Sequence, residues 1–257
     1  MSIHPTAIVH KNAELDSSVE VGPYSIIGEH VRIGKGTTLR SHVVIEGWTT
    51  IGESNTIYPF ASIGLEPQDL KFKGEETRLE VGDHNMIREY VTLHRGTGSG
   101  GGLTKIGNRN VMMAYVHVAH DCILGDRIIM SNAATLAGSI TVGNDAIVGG
   151  LSGVHQFVRI GSYAMIGGCS AVAQDVPPFV RVAGNHARLY GLNSIGLKRH
   201  GFTPDQIQVL KAAYKLLFRS GLTLREAVKT AKAKWPGDET VAHFLSFVET
   251  SERGICR

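Results

Sequence analysis

Apolar residues recur along this chain at every sixth position. Counting from Ile3, the step falls on Val9, Leu15, Val21, Ile27, Ile33, Leu39, Ile45, Ile51, Ile57 and Ile63. After one interruption the same phase returns at Val81, Ile87 and Leu93. After a second it runs from Ile106 through Met112 and Val118, and on by sixes to Val172. All 26 positions hold Ile, Leu, Val or Met, and the next residue is often Gly or Ala. A helix needs apolar returns about every 3.6 residues and a half-buried strand every second one, so neither fits. A chain that turns a corner every hexad does fit. Three short strands then close a triangular coil, and successive coils stack about 4.8 Å apart. The predicted fold is mainly β: a hexapeptide parallel β-helix, its interior filled by the branched residue, with Gly or Ala letting the corner backbone bend.

The two interruptions predict loops projecting from the coil stack, over about residues 64–80 and 94–105. The second is rich in glycine but lacks the Gly-Lys-Ser/Thr ending and the helix start of a phosphate-cradling loop. Past Pro177-Pro178 the hexads stop. Thr203-Pro204-Asp205-Gln206 has capping-box spacing with Pro in the first turn, and Ile207, Leu210, Tyr214, Leu217 and Phe218 follow at helical intervals until Gly221. A second helix opens at Thr223-Leu224-Arg225-Glu226 and stops near Pro236-Gly237; a third spans Val241 to Val248. The expected division is a β-helix over 1–182 and an α-helical C-terminal domain over 183–257.

Composition narrows the class. Apolar residues make up 42% and charged residues 19% of the 257, which excludes a disordered chain. The start, Met1-Ser2-Ile3-His4-Pro5, lacks the basic and apolar regions of a signal peptide. The least charged stretch, Ile128 to Gly143, is broken by Ser131, Asn132, Thr135, Ser139 and Thr141, so no integral membrane segment is expected. Cys122, Cys169 and Cys256 are odd in number and lack C-x-x-C spacing, which points to a reducing cytoplasm. A net charge of +3 hides an asymmetry: residues 1–184 carry 14 basic and 17 acidic side chains, residues 185–257 carry 12 and 6. No aromatic-interleaved basic motif suggests nucleic acid. A basic tail suits an acidic protein partner, although a merely solvated helical face explains the charge as well.

The densest reactive cluster is His117-Val118-Ala119-His120-Asp121-Cys122. Residues one coil apart share an edge, so Gly138 stacks beyond His120 and Gln156 beyond Gly138, with His155 alongside. His120 takes an outward-facing hexad place. Histidine suits general-base work at neutral pH, Asp121 is placed to orient it, and Gly138 presents a backbone N–H to the same edge, half of an oxyanion site. Ser139 carries no mark of an activated nucleophile. Cys122 sits at an inward place and reads as packing. Zinc held by His94, His117 and His120 between subunits is a second reading.

Longer motifs add a resemblance. Gln68-Asp69-Leu70-Lys71, His94-Arg95-Gly96, His117-Val118-Ala119-His120-Asp121, Val154-His155-Gln156-Phe157, Gly184-Asn185-His186-Ala187 and Gly196-Leu197-Lys198-Arg199 resemble those of the bacterial UDP-N-acetylglucosamine O-acyltransferases. That hexapeptide-repeat family adds a 3-hydroxyacyl chain in the first step of lipid A synthesis. The resemblance covers essentially the whole chain and implies a left-handed coil. It also implies His120 as base, Asp121 as its orienting partner and Gly138 as oxyanion donor. Asp69, Lys71, His117, His155, Gln156, Asn193 and Arg199 match positions holding nucleotide sugar and thioester; Gly168 and His186 match positions near the acyl groove. Ser139 and His200 stand where the family often has His and a second Arg. The related N-acyltransferase carries an extra N-terminal domain, for which hexads beginning at Ile3 leave no room.

The function expected is acyl transfer from acyl carrier protein to the 3-hydroxyl of UDP-N-acetylglucosamine, without metal or other cofactor. The residues alone are compatible with oxygen or amine at that acceptor position. A carbonic-anhydrase-like zinc enzyme and a non-enzymatic hexapeptide scaffold are the alternatives. His120, Gly138 and Gln156 fall on one edge and Asn132, Gly150 and Gly168 on another, so a single cleft needs both edges from different subunits. A homotrimer is expected.

Overall fold

The structure, a computed structural model, describes residues 2–257. Short parallel strands form three faces of a prism. Face A has eleven strands, from Ser2–Ile3 up to Arg188–Leu192, the last of them antiparallel to Val180–Ala183; face B has nine, from Ile8–Val9 to Ala171–Val172; face C has eight, from Glu14–Leu15 to Arg159–Ile160. The architecture is the left-handed parallel β-helix, followed by helices.

Register follows the hexad count. Ile8 pairs with Ile26 and Ile26 with Val44, each 18 residues on. Ser62 pairs with Thr92, 30 residues on, and Thr92 with His117, 25 residues on. The interruptions therefore add twelve and seven residues to a coil. Both leave a face B strand, Ser62–Leu65 or Thr92–His94, and return on a face C strand, Arg78–Val81 or Leu103–Ile106. They rise from the same edge, B–C, on consecutive coils.

Every inward hexad residue from Val21 to Val172 is buried, whereas Ile3, Val9 and Leu15 of the first coil are at least partly exposed because no coil lies beneath them. Polar interior positions are paired within the stack. Asn55 Oδ1 accepts from Asn85 N–H at 2.8 Å, Asn85 Oδ1 from Asn110 N–H at 2.8 Å, and Asn110 Oδ1 from Ile128 N–H at 2.7 Å.

Corner bending, the expected reason for the glycines, is not what requires them. The left-handed residue of a corner lies two positions further on and is seldom glycine: Tyr24 (φ 59°), Asp121 (60°), Asp145 (61°) and Leu151 (59°). The glycine solves a different problem, the approach of the next coil. A Cβ on Gly149 would sit 2.5 Å from the Gly168 nitrogen and 2.7 Å from the Ile166 carbonyl oxygen.

The tail forms four helices: α1 (Ser194–Arg199), α2 (Pro204–Arg219), α3 (Leu224–Lys234) and α4 (Glu239–Glu249). Capping boxes form at Thr203 with Gln206 and at Thr223 with Glu226, as the spacing predicts. Helix α1 is additional; six residues with a central Gly196 are too short to show periodicity. The last residues return to the stack, where Asp175 bridges Ile255. Among the described residues no helix is long and apolar enough to cross a membrane.

Gly149→Ala should lower stability by about 1–3 kcal/mol, the cost of overpacking a rigid contact. Gly153→Ala, where an added Cβ meets nothing within 4 Å, should change it by less than about 0.5 kcal/mol. Chemical denaturation of both variants checks the difference; equal losses would show that the close approach does not set the glycine requirement.

Candidate active site

His120 and Asp121 sit in the B–C corner between strands His117–Val118 and Ile123–Leu124. The corner is held to the coil above, Ser139 N–H donating to the His120 carbonyl at 2.9 Å, and Phe157 N–H donating to the Gly138 carbonyl at 3.2 Å. The spacing argument therefore places His120, Gly138 and Gln156 correctly, in one column.

Asp121 does the orienting. Its Oδ2 lies 2.8 Å from His120 Nδ1. The carboxylate is buried and also accepts from Thr97 N–H at 2.9 Å and Thr97 Oγ1 at 2.6 Å, while Thr104 Oγ1 accepts the Asp121 N–H at 2.8 Å. A carboxylate at Nδ1 puts the ring proton there and leaves Nε2 with its lone pair facing outward. The His120 side chain retains 19% exposure. It is outward-facing but not loose.

The ring packs over Gly138, where an added Cβ would come within 2.7 Å of Nε2. The Gly138 N–H has no hydrogen-bond partner among the described residues. Gln156 N–H, one coil up, is likewise free, so the open donor belongs to the corner geometry. What singles out Gly138 is the His120 ring lying against it.

Sequence reasoning missed the support. Thr97 and Thr104 belong to the second insertion and its return strand, and polar residues in a Gly-rich loop gave no sign of their target. Arg95 ties the two insertions together. Its side chain is 7% exposed, donates to the Gly64 carbonyl at 3.2 Å, pairs with Glu66 at 3.5 Å and lies 5.2 Å from the Phe72 ring centre. Asp69 and Lys71 are on the first loop, where Asp69 Oδ1 accepts the Lys71 N–H and the Lys71 side chain is free to solvent.

Two further histidines line the approach. His117 Nδ1 lies 2.7 Å from Thr92 Oγ1, and its ring meets His94 edge-on at 5.0 Å. Burial, with smaller pushes from His117, His120 and Arg95, lowers the His94 imidazole to about 4; burial and His120 lower that of His117. Both shifts favour the neutral ring. Among the described residues of the single chain, no group of three His, Cys, Asp or Glu is arranged to hold a metal ion. Cys122 is buried, its thiol pushed up to about 12 by desolvation. It packs, as its inward place predicts.

The remaining predicted residues lie elsewhere on the single chain. Gly168 is on the A–B edge, and exposed His186 sits one layer above it, next to Ala187, whose N–H donates to the Ala171 carbonyl. Asn193 is buried and caps α1, its Oδ1 accepting from Gly196 N–H and its Nδ2 donating to the Tyr163 carbonyl. Arg199 ends α1 exposed. His200, beside it, lies 3.6 Å from Asp145 and meets Tyr163 edge-on. Two surface grooves of about 440 and 680 Å³ lie over faces C and A, and His120 lines neither.

Comparison with known proteins gives this geometry its context. Residues 175–256 match the family described as Udp N-acetylglucosamine O-acyltransferase, Domain 2. The acyl-[acyl-carrier-protein]–UDP-N-acetylglucosamine O-acyltransferase of Thermodesulfovibrio yellowstonii is 55% identical over 255 residues, covering 99% of both chains. That of Syntrophobacter fumaroxidans is 50% identical over the full length of both. Among solved structures, LpxA of Acinetobacter baumannii superposes with a TM-score of 0.97 at 49% identity over 99% of each chain. With identity of this level running from the first coil to the last helix, the chain belongs to the acyl-[acyl-carrier-protein]–UDP-N-acetylglucosamine O-acyltransferase family.

Proposed function

We propose that this enzyme transfers a 3-hydroxyacyl group from the thioester of acyl carrier protein to the 3-hydroxyl of UDP-N-acetylglucosamine, the entry step of lipid A synthesis. The observation that carries the mechanism is the His120 ring, oriented by Asp121 and lying against Gly138, whose N–H has no partner among the described residues. His120 Nε2 takes the hydroxyl proton as the oxygen bonds to the thioester carbonyl carbon. The carbonyl oxygen gains the charge, and Gly138 N–H donates to it. Collapse breaks the carbon–sulfur bond, and the imidazolium returns its proton to the departing thiolate. The buried Asp121 carboxylate compensates the imidazolium while it lasts.

The β-helix, 1–182, supplies the reacting groups and the helical part, 183–257, receives the carrier. Asp69, Lys71, His117, His155, Gln156, Asn193 and Arg199 hold the two substrates, with Lys71 and Arg199 exposed to meet phosphate and the acidic carrier. Gly168 and His186 border the acyl chain. No cofactor takes part. The three free cysteines, one of them exposed, support a cytoplasmic location.

Assembly completes the site as a homotrimer. His120 and Gly168 occupy opposite margins of face B, so one chain does not bring them into one cleft. The A–B edge carries a ladder of Tyr24, His42, Phe60, Tyr90 and Tyr115, with ring centres 4.9–5.1 Å apart. Tyr24 and Tyr115 are 59% and 61% exposed, and Leu151 extends the stripe at 69%. An apolar seam of that length supports burial against another subunit.

His120→Ala should reduce kcat by roughly 10²–10⁴ while unfolding behaviour stays intact, since a positioned base contributes that much; near-normal turnover of the purified variant would remove His120 from the mechanism. Light scattering should give the mass of three chains, and an active monomer would refute shared sites. Gly168→Met should shift preference toward shorter acyl donors, because filling a snug groove costs about 1–3 kcal/mol. Relative kcat/KM for long and short donors measures this, and an unchanged ratio would place the acyl chain elsewhere.

A further inference from the structure

Arg253, in the C-terminal segment, has no part in the mechanism above, yet it reaches the edge that carries His120. Arg253 Nη2 lies 2.7 Å from His155 Nδ1, across 98 residues of sequence, and Arg253 Nε donates to the Ala173 carbonyl at 2.9 Å. The segment bearing it is fastened to the stack on both sides. Ser251 Oγ donates to Asp175 Oδ2 at 2.8 Å, Asp175 N–H to the Gly254 carbonyl at 2.8 Å, and Cys256 N–H to the Asp175 carbonyl at 3.0 Å. Ile255 and Cys256 are buried. Arg253 is therefore presented by a seated segment, with its guanidinium fixed at two points.

A guanidinium has five donors and no acceptor. It can meet an imidazole nitrogen at 2.7 Å only if that nitrogen offers a lone pair. His155 Nδ1 is then unprotonated, its 3.1 Å approach to the Gln156 carbonyl is not a hydrogen bond, and the ring proton resides on Nε2. The side chain is otherwise exposed, and without the arginine nothing among the described residues selects this tautomer; the Gln156 carbonyl favours the opposite one.

We infer that Arg253 is a positioning residue that locks His155 as an Nε2–H donor, aimed at an acceptor oxygen of the bound nucleotide sugar or acyl group. The inference rests on the reading above that His155 holds substrate. The pairing with His120 is complementary. Asp121 puts the proton of His120 on Nδ1 and makes its outer nitrogen a base; Arg253 removes the proton from Nδ1 of His155 and makes its outer nitrogen a donor. Two neighbouring histidines of one edge are thereby given opposite roles by the sign of the charge behind them.

The full-length enzyme with ¹⁵N-labelled histidine, its His155 signals assigned by His155→Gln, tests the tautomer directly by NMR above neutral pH. An Nε2–H imidazole is expected in the parent and a mixed or reversed tautomer in Arg253→Met. A parent signal with the proton on Nδ1 would overturn the assignment. Kinetics test the consequence. Arg253→Met should raise KM for one substrate roughly tenfold, the loss of one charge-assisted contact, with kcat for saturated enzyme and the native mass little changed. Arg253→Lys, which keeps charge and one donor, should recover most of that. In a His155→Ala background Arg253→Met should add no further loss; additive losses would mean that Arg253 acts independently of His155. If His155→Ala itself leaves both KM values unchanged, the role of His155 fails while the NMR result still decides what Arg253 does to its ring.

Discussion

Everything in this protein depends on the vertical contact between coils. Strands of two to four residues have no stability of their own. Each is fixed by parallel hydrogen bonds to the coil above and below, and by an interior residue touching its equivalents one coil away. The stack must therefore be tight, and the glycines after the inward residues record how tight: Gly22 would place a Cβ 2.6 Å from the Arg40 carbonyl carbon, Gly34 one 2.8 Å from that of Gly52. Because the coil spacing is fixed, residues far apart in sequence become neighbours at set intervals. His120 and Gly138 come together for the same reason that Asn85 and Asn110 do.

That regularity is also a limitation, since a perfect prism has flat faces and identical edges. The insertions break the symmetry at one edge only. Both leave face B and return on face C, and Arg95 binds the first to the second through Gly64, Glu66 and Phe72. The second loop then supplies the Thr97 hydrogen bonds to Asp121. A continuous path of contacts thus runs from the outer loop through Arg95 and Thr97 to the carboxylate that orients His120. Rigid coils set the distance of the His120 ring from Gly138; the second loop holds the carboxylate that sets where the ring proton sits.

The hexad phase made the prism, the two loops and the shared column of His120, Gly138 and Gln156 legible from sequence, because each follows from counting. Caps at Thr203 and Thr223 were legible for a local reason, a hydroxyl and a Gln or Glu three residues on. What stayed hidden has no period. The partnership of Arg253 with His155 depends on how the last eight residues fold back, and Asp121 with Thr97 on the path of a glycine-rich loop. Helix α1 begins at Asn193, whose side chain is occupied by capping and by Tyr163, a local task that a motif match to substrate-binding positions does not reveal. The corner glycines show a subtler gap: the residue type was expected, and its cause, contact rather than conformation, was not.

The histidines show how the same scaffold assigns different chemistry to one residue type. His94 is buried, lowered to about 4, and stays neutral. His117, with Thr92 on its Nδ1, is lowered as well. With His94 and His117 uncharged, a proton arriving at His120 meets no positive charge from either ring, and the charge behind it is the negative one of Asp121. A second protonated histidine in that cluster would oppose the imidazolium through a few ångströms of poorly screened space, where like charges interact strongly. Burial of His94 and His117 removes that opposition without removing their polar edges. Of the three rings, only His120 combines a carboxylate partner with an open path outward, which is the combination the proposed base requires.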